Sequence, residues 1–194
     1  MAKSTGAPKS NKVDFTTYFS SAMQVPEPDL LEQDRKRLDN LGIIGAAELG
    51  EKGFYASIAR ERSKTVPRAA AEATILVVED NAGTVEVVRR VLKAAGYNTR
   101  AAATRAEIAE ELGRKPRPDL ILLDVALAPG LSGFDILNKM RQHPVLKEIP
   151  VIMLTAMSER EHIVRGLGLG ADGYLTKPAR PSVLVDAVET VLTG

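Results

Sequence analysis

The chain has 194 residues, which fits one domain with a full hydrophobic core plus a small additional segment. Its 26 basic and 25 acidic residues nearly cancel, so charge alone nominates neither a nucleic acid nor a membrane surface as partner. The absence of cysteine excludes disulfides and thiolate metal sites. The polar amino terminus lacks the apolar core of a secretory signal, and no uncharged apolar run reaches the roughly 18 residues of a membrane helix. We therefore expect a soluble, cytoplasmic protein.

Residues 1–72 differ in character from the rest and are predicted to form an extension. Residues 1–13 are poor in apolar side chains, which indicates disorder. Short helices are predicted at 29–41 and at about 54–62, followed by an alanine-rich linker. So few residues enclose little core of their own. The extension is interpreted as a helical arm or a largely mobile segment whose role the sequence does not define.

From Ala73 onward, short β-prone runs alternate with helix-length segments, the pattern of repeated βα units in a parallel sheet. The predicted strands are 74–78, 97–101, 120–124, 150–154 and 173–176. The first, third and fourth are almost entirely apolar, as expected of central strands covered on both faces. The second is more polar and the fifth is short, so both are expected at or near an edge.

Five helices are predicted between and after these strands. They cover 84–95, 104–114, 133–142, 158–167 and 181–192. Thr104 and Ser158 each precede a glutamate by three residues, a spacing typical of a capping box. Five βα units of this length most simply form an open, doubly wound α/β sheet, with residues 73–194 as its domain.

Polar side chains occur at the carboxyl ends of four predicted strands, where open parallel sheets bind their ligands. Glu79 and Asp80 follow the first strand, Asp124 ends the third, Thr155 follows the fourth and Lys177 the fifth. Each has an ordinary interpretation when taken alone, because acidic residues also cap helices and form turns. Together, three carboxylates, a hydroxyl and an ammonium group predict a functional site on one rim of the sheet.

These residue types match the requirements of phosphoryl transfer. Carboxylates bind Mg²⁺, which bridges to phosphate oxygens and relieves the repulsion among clustered acids. The transferred group needs positive charge at its equatorial oxygens, and the metal and Lys177 would supply it. Asp124 lies on the central strand between the acidic pair and the lysine. It is therefore the predicted nucleophile, which would form an aspartyl-phosphate.

The segments VVEDN, LILLDV, LTA and GYLTKP resemble the sequence blocks of the response regulator receiver domain of two-component signalling. The resemblance covers residues 74–194 and implies a flavodoxin-like, five-stranded parallel sheet in the order 2-1-3-4-5. It implies a metal site formed by Glu79, Asp80 and Asp124. By the same resemblance, Asp124 accepts the phosphoryl group, and Thr155 and Lys177 bind it.

The resemblance also assigns features that spacing does not reveal. The backbone carbonyl of Ala126 would complete the metal shell, and the peptide between Lys177 and Pro178 would be cis. Tyr174 would be the switch residue, whose ring moves inward when the Thr155 hydroxyl turns toward the phosphoryl group. The output surface would be built on the predicted elements 158–167, 173–176 and 181–192.

The loop after Asp124 departs from the usual pattern of this family. The sequence DVALAPGLSG reaches its final glycine, Gly133, one residue late, which could alter metal access or partner docking. Ala126 and Met157 lie two residues after the acceptor and the threonine. Since neither side chain can orient an attacking water, we predict slow loss of the phosphoryl group.

The two histidines, His143 and His162, lie away from the predicted rim and are interpreted as surface residues. The phosphodonor histidine is therefore expected on a histidine kinase or a histidine phosphotransfer protein. Because the chain ends directly after the last helix, we expect a stand-alone regulator that acts on a protein target, with dimerisation open. We expect no enzymatic activity beyond its own phosphorylation and dephosphorylation.

Other functions stay open at this point. The chain could be a phosphorelay intermediate, a phosphate sink or the receiver fragment of a hybrid sensor kinase, with residues 29–66 as a remnant of an upstream module. A hydrolase with an aspartate nucleophile is a competing class, but Ala126 occupies the position of the second acid that it would need. A scaffold that has lost its site is disfavoured because every polar position of the rim is present.

Overall fold

The computed structural model describes residues 53–56, 70–158 and 160–193. Its strands are β1 (Phe54–Ala56), β2 (Thr74–Val78), β3 (Asn98–Ala102), β4 (Leu120–Leu123), β5 (Val151–Thr155) and β6 (Gly173–Thr176). Its α-helices are α1 (Ala82–Ala94), α2 (Arg105–Gly113), α3 (Gly133–Gln142), α4 (Arg160–Gly168) and α5 (Pro181–Thr193). Two 3₁₀ turns cover Ala70–Glu72 and Leu146–Glu148.

The described strands form one sheet in the order β1-β6-β5-β4-β2-β3. Strands β2 to β6 pair in parallel, and they have the predicted doubly wound order. The predicted total of five strands is too low, because β1 pairs antiparallel with β6. As predicted, β3 lies at an edge, and β6 is second from the opposite edge.

Strand β1 lies in the extension, at a place where the sequence predicts a helix at about 54–62. That prediction is wrong for Phe54–Ala56, and residues 57–62 lie outside the described part of the chain. So do the helix predicted at 29–41 and the disorder predicted at 1–13. Aromatic residues such as Phe54 and Tyr55 fit a half-buried pleated surface. The outer edge of β6 supplies their hydrogen-bonding partner, a contact that local sequence does not reveal.

Helices cover both faces of the sheet. Apolar side chains on one face pack with α2, α3 and α4, and those on the other face pack with α1 and α5. Along β2, Leu76 and Val78 belong to the first cluster, whereas Ile75 and Val77 belong to the second. A strand buried on both faces explains the continuous apolar runs of the sequence. Among the described residues, every helix is too short or too polar to cross a membrane.

The predicted bounds of the five parallel strands and of the five helices between and after them agree with the structure to within two residues. The capping box predicted at Thr104 is present, since its hydroxyl accepts the N–H of Glu107 and the Glu107 carboxylate accepts the N–H of Thr104. The capping box predicted at Ser158 spans Glu159, which lies outside the described residues.

His143 is buried, so the prediction of a surface residue is wrong for this histidine. It directly follows α3, and its Nδ1 accepts the backbone N–H groups of Val145 and Leu146 at 3.1 and 3.2 Å. The imidazole therefore holds the turn that leads toward β5. His162 is half-buried, with its ring stacked on Phe134.

Burial lowers the pKa of His143, and the nearby positive charge of Arg117 lowers it further. The unfolded chain, with a pKa near 6.5, then binds this proton more readily than the folded chain. The contribution of the neutral His143 imidazole to the free energy of unfolding is therefore complete above about pH 6.5 and is lost as the pH falls below that value. We predict that the free energy of unfolding falls more between about pH 7.5 and 5.5 in the wild type than in His143→Asn.

The asparagine amide oxygen can still accept the two backbone N–H bonds, so this variant removes the titration and keeps an acceptor. Urea unfolding at both pH values measures the difference. Equal losses in the two proteins would contradict the prediction.

Candidate functional site

The polar residues predicted at the rim meet at the carboxyl end of the parallel strands. Glu79 directly follows β2, Asp124 follows β4, Thr155 ends β5 and Lys177 follows β6. Glu79, Asp124 and Thr155 are buried, whereas Asp80 is exposed. The structure therefore brings all five residues to one rim, with the exposed acid on the solvent side.

Backbone pairing holds the two buried carboxylates in place. The N–H of Asp124 donates to the carbonyl of Val78 at 2.9 Å, and the N–H of Glu79 donates to the carbonyl of Ala102 at 3.1 Å. These bonds continue the pairing just beyond β4 and β2, which are neighbours in the sheet. The two side chains consequently begin side by side on rigid elements.

The three acids form a compact group of oxygen donors. One carboxylate oxygen from each of Glu79, Asp80 and Asp124 lies within 4.8 Å of the others. Carboxylate oxygens are the ligands that hard cations such as Mg²⁺ prefer, and such ions usually keep several waters. The exposed side of Asp80 leaves room for those waters. The donor set and its spacing therefore fit a hydrated divalent cation.

Helix capping does not explain this acidic pair. The cap of α1 is Asn81, whose side-chain oxygen accepts the N–H of Thr84 at 2.9 Å. Glu79 accepts the N–H of Asn81 at 3.2 Å, and so supports the cap from behind. Asp80 therefore does not cap α1, and its carboxylate lies at the rim with those of Glu79 and Asp124.

The ammonium group of Lys177 links the two buried carboxylates. Its Nζ donates to Asp124 Oδ2 at 2.8 Å and also to a carboxylate oxygen of Glu79. The backbone N–H of Lys177 donates to the carbonyl of Thr155 at 2.8 Å, which sets where the side chain starts. The peptide between Lys177 and Pro178 is cis, as the family resemblance implies.

Burial raises the pKa of Glu79, and the negative charge of Asp124 adds to this effect. The hydrogen bond and positive charge of Lys177 oppose it, as does the N–H of Asn81. Desolvation favours the neutral form of a carboxyl group, and a neighbouring cation favours the charged form. Glu79 therefore depends on nearby positive charge to stay ionised.

Thr155 and Tyr174 are connected through the backbone of Met157. The Thr155 hydroxyl accepts the N–H of Met157 at 3.2 Å, and the Tyr174 hydroxyl donates to the Met157 carbonyl at 2.7 Å. Both side chains are fully buried. The Tyr174 ring lies against Gly166 of α4, where a Cβ would come within 2.8 Å of it. The ring thus lies inside the domain, two hydrogen bonds away from Thr155.

The loop after Asp124 closes on itself despite its additional residue. Ala126 pairs with Ser132 in an isolated antiparallel bridge, and the N–H of Gly133 donates to the carbonyl of Val125 at 3.0 Å. The Ala126 N–H donates to Asp124 Oδ1 at 3.3 Å. The Ala126 side chain is exposed, so a substitution there would not enter the core.

A model of the response regulator receiver domain family matches residues 75–189 of the chain. The phosphate regulon transcriptional regulatory protein PhoB of Escherichia coli K12 is 43% identical over 118 residues, or 61% of this chain and 51% of PhoB. The solved structure of chemotaxis protein CheY4 of Vibrio cholerae is 33% identical with a TM-score of 0.55, over 61% of this chain and 98% of CheY4.

The solved receiver domain of a signal transduction histidine kinase from Syntrophus aciditrophicus also matches the chain. It is 36% identical with a TM-score of 0.57, over 63% of this chain and 91% of that domain. The doubly wound sheet is the fold of the receiver structures that the chain matches. The chain belongs to the response regulator receiver domain family. It spans about half the length of the curated relatives it matches.

Sequence reasoning does not identify Gly133 as part of the site. A Cβ at this position would lie 2.0 Å from the carbonyl oxygen of Asp124 and 3.0 Å from the Cα of Val125. Only a residue without a side chain lets the start of α3 approach the acceptor so closely. The signal in the sequence is the glycine that ends the loop, but its partner is a long-range backbone contact.

We predict that Gly133→Ala lowers the free energy of unfolding by about 1–3 kcal/mol, because the backbone of Asp124 has to shift. Gly83→Ala is the matched control, since its Cβ would meet only the side-chain oxygen of Asn81, at 3.2 Å. Alanine also favours the helix at that position, so the control should be at least as stable as the wild type. Urea unfolding compares the three proteins, and wild-type stability of Gly133→Ala would contradict the prediction.

Proposed function

We propose that the chain is a phosphoryl-accepting response regulator in which Asp124 takes a phosphoryl group from a partner's histidine under Mg²⁺. The observation that carries this proposal is the pairing of Asp124 Oδ2 with Lys177 Nζ at 2.8 Å beside the carboxylates of Glu79 and Asp80. A nucleophile, a cation and a set of metal donors thus occur within one rim.

The transfer step requires in-line attack and little other chemistry. An oxygen of the Asp124 carboxylate attacks the phosphorus of a phosphohistidine, the new P–O bond forms as the P–N bond breaks, and the imidazole leaves and takes up a proton. Glu79, Asp80 and Asp124, with the Ala126 carbonyl as a further donor, would hold the metal. Bound there, Mg²⁺ would supply positive charge at the phosphoryl oxygens.

Lys177 has a role before and after transfer. Before transfer, its ammonium offsets the repulsion between the carboxylates of Glu79 and Asp124. After transfer, Asp124 has become an acyl phosphate, a mixed anhydride of its carboxyl group, and Lys177 is within reach of the new negative oxygens. The same cation therefore stabilises both states, while its partner atoms change.

Thr155 and Tyr174 are the proposed switch. The Thr155 hydroxyl, which accepts the N–H of Met157, would turn and donate to the phosphoryl group. Because Tyr174 donates to the carbonyl of the same Met157, its environment changes with that rotation. The surface formed by α4, β6 and α5 would carry this change to a downstream protein.

The phosphodonor is expected on another protein, a histidine kinase or a histidine phosphotransfer protein. The imidazole of His143 is buried, and its Nδ1 is occupied by two backbone N–H groups. His162 is half-buried, and its ring is stacked on Phe134. We expect neither imidazole to be the phosphodonor, and the chain itself would catalyse only its own phosphorylation and dephosphorylation.

A phosphorelay intermediate or a phosphate sink uses the same site chemistry and differs only in where the phosphoryl group goes next. A receiver that is part of a hybrid sensor kinase is the other candidate. The observation that favours it is the similarity to a receiver domain of a signal transduction histidine kinase. Cytoplasmic location and dimerisation stay predictions.

We predict that the protein, incubated with Mg²⁺ and acetyl phosphate, gains one acid-stable, base-labile phosphoryl group, and that Asp124→Asn abolishes it. Intact-mass measurement follows the adduct. Asp119→Asn is the matched control, because this aspartate accepts the N–H of Thr74 at 2.8 Å and is not on the rim. Full labelling is expected in the control. An adduct that persists in Asp124→Asn would refute the central assignment.

The exposed side chain of Ala126 generates a second prediction. Since alanine cannot orient a water for attack on the aspartyl-phosphate, we expect Ala126→Asn to shorten its lifetime several-fold, because the asparagine amide can position that water. Ala128→Asn, in the same loop, is the control and should keep the wild-type lifetime. Decay of the adduct after removal of the donor is measured, and an unchanged lifetime in Ala126→Asn counts against the interpretation.

A further inference from the structure

A strand of the extension covers the surface that the proposed function assigns to output. That surface consists of α4, β6 and α5, and β1 lies along the outer edge of β6. The antiparallel register pairs Phe54 with Leu175, Tyr55 with Tyr174 and Ala56 with Gly173. The strand that carries the proposed switch residue is therefore paired on both sides.

Both faces of β1 are anchored in the core. The Phe54 side chain is 2% exposed and packs in the apolar cluster that contains Leu175 and the buried face of α5. Tyr55 points the opposite way and packs against the cluster that contains Tyr174 and Ile163 of α4. The strand thus engages β6 and α5, and Tyr55 extends the apolar cluster to which α4 contributes.

Two glycines make the fit close. A Cβ at Gly173 would come within 2.9 Å of the Phe54 ring. Gly53 has a φ of +76°, and its carbonyl accepts both the backbone N–H and the hydroxyl of Thr176, at 2.9 and 3.3 Å. A Cβ at Gly53 would lie 2.5 Å from Thr176 Oγ1. Left-handed backbone and close approach both favour glycine here.

We propose that residues 53–56 are an intramolecular cover of the α4–β6–α5 surface and that phosphorylation of Asp124 releases them. The cover satisfies N–H groups on the outer edge of β6 that would otherwise be open to strands of other molecules. Its release would expose that edge in one state of the switch. The release step rests on the proposed function, whereas the cover itself does not.

The connection between the site and the cover runs through Tyr174. Its backbone pairs with Tyr55, and its hydroxyl donates to the Met157 carbonyl. The Met157 N–H in turn donates to the Thr155 hydroxyl. If that hydroxyl turns to a phosphoryl group on Asp124, Met157 loses this bond and the anchor of Tyr174 weakens. Linkage then requires the reverse effect as well, so that weakening the cover favours phosphorylation.

Amide hydrogen exchange of the full chain, followed by NMR, tests both parts. The Thr176 N–H bonds to Gly53 of the cover, whereas the Lys177 N–H bonds to Thr155 within the parallel sheet. Strand alternation points the Tyr174 N–H to the same side as that of Thr176. Thr176 and Tyr174 therefore report on the cover, and Lys177 is the internal control.

Gly53→Val is the test variant, because it strains the cover and removes no core side chain. Phe54→Ser is a second variant that removes the anchor, and Val87→Ser, an exposed change on α1, is the control. We expect exchange at Tyr174 and Thr176 to rise at least tenfold in both test variants, with Lys177 and the control protein unchanged. At limiting acetyl phosphate, both test variants should also reach a higher phosphorylated fraction than the wild type.

In the wild type with Mg²⁺ and excess acetyl phosphate, exchange at the two reporters should rise at least fivefold, with the adduct verified by mass. Reporter amides unaffected by Gly53→Val and Phe54→Ser would overturn the cover, as would protection that grows with protein concentration, which assigns the strand to a second copy. An adduct that leaves the reporters unchanged would overturn the release step alone. Absence of any adduct would refute the proposed function, while the variants would still decide the cover.

Discussion

The Lys177 ammonium lies between two buried carboxylates that follow neighbouring strands, those of Glu79 and Asp124. Burial raises the pKa of Glu79, and the positive charge of Lys177 opposes this effect. Lys177 follows β6, so its side chain reaches past β5 to meet the acids that follow β4 and β2. The contact spans four neighbouring strands of the sheet, and so it ties the chemistry of the rim to the topology of the sheet.

The same order places the remaining parts of the proposed switch in a row. Thr155 ends β5, the strand that the lysine passes over, and Tyr174 lies on β6 next to it. Met157 joins their hydroxyls, and β1 pairs with the far side of β6. Hydrogen bonds therefore connect Thr155 at the rim to the strand at the edge of the sheet. Strand β1 of the extension pairs with β6 at this edge, and its proposed role is to be part of the switch.

Sequence reasoning succeeded where a local pattern is enough. Continuous apolar runs identify the buried parallel strands, Thr104 with Glu107 identifies a helix start, and the strand ends identify the rim. It failed where a contact with residues distant along the chain determines the local structure. The sequence around Phe54 predicts a helix, but this segment pairs as a strand with the edge of β6. His143 is predicted at the surface, but its imidazole accepts two backbone N–H groups inside the domain. The roles of the rim residues in phosphoryl transfer stay predictions.

Residue types and their periodicity were sufficient for the α/β class, the five parallel strands and the identity of the rim residues, because these follow from short-range geometry and from which faces are buried. Only the tertiary structure shows that Lys177 binds both acids, that Gly133 closely approaches the Asp124 backbone, and that a sixth strand lies at the edge of the sheet. These features join residues far apart along the chain. Their energies depend on desolvation and on fit between surfaces, which exist only once the sheet has formed.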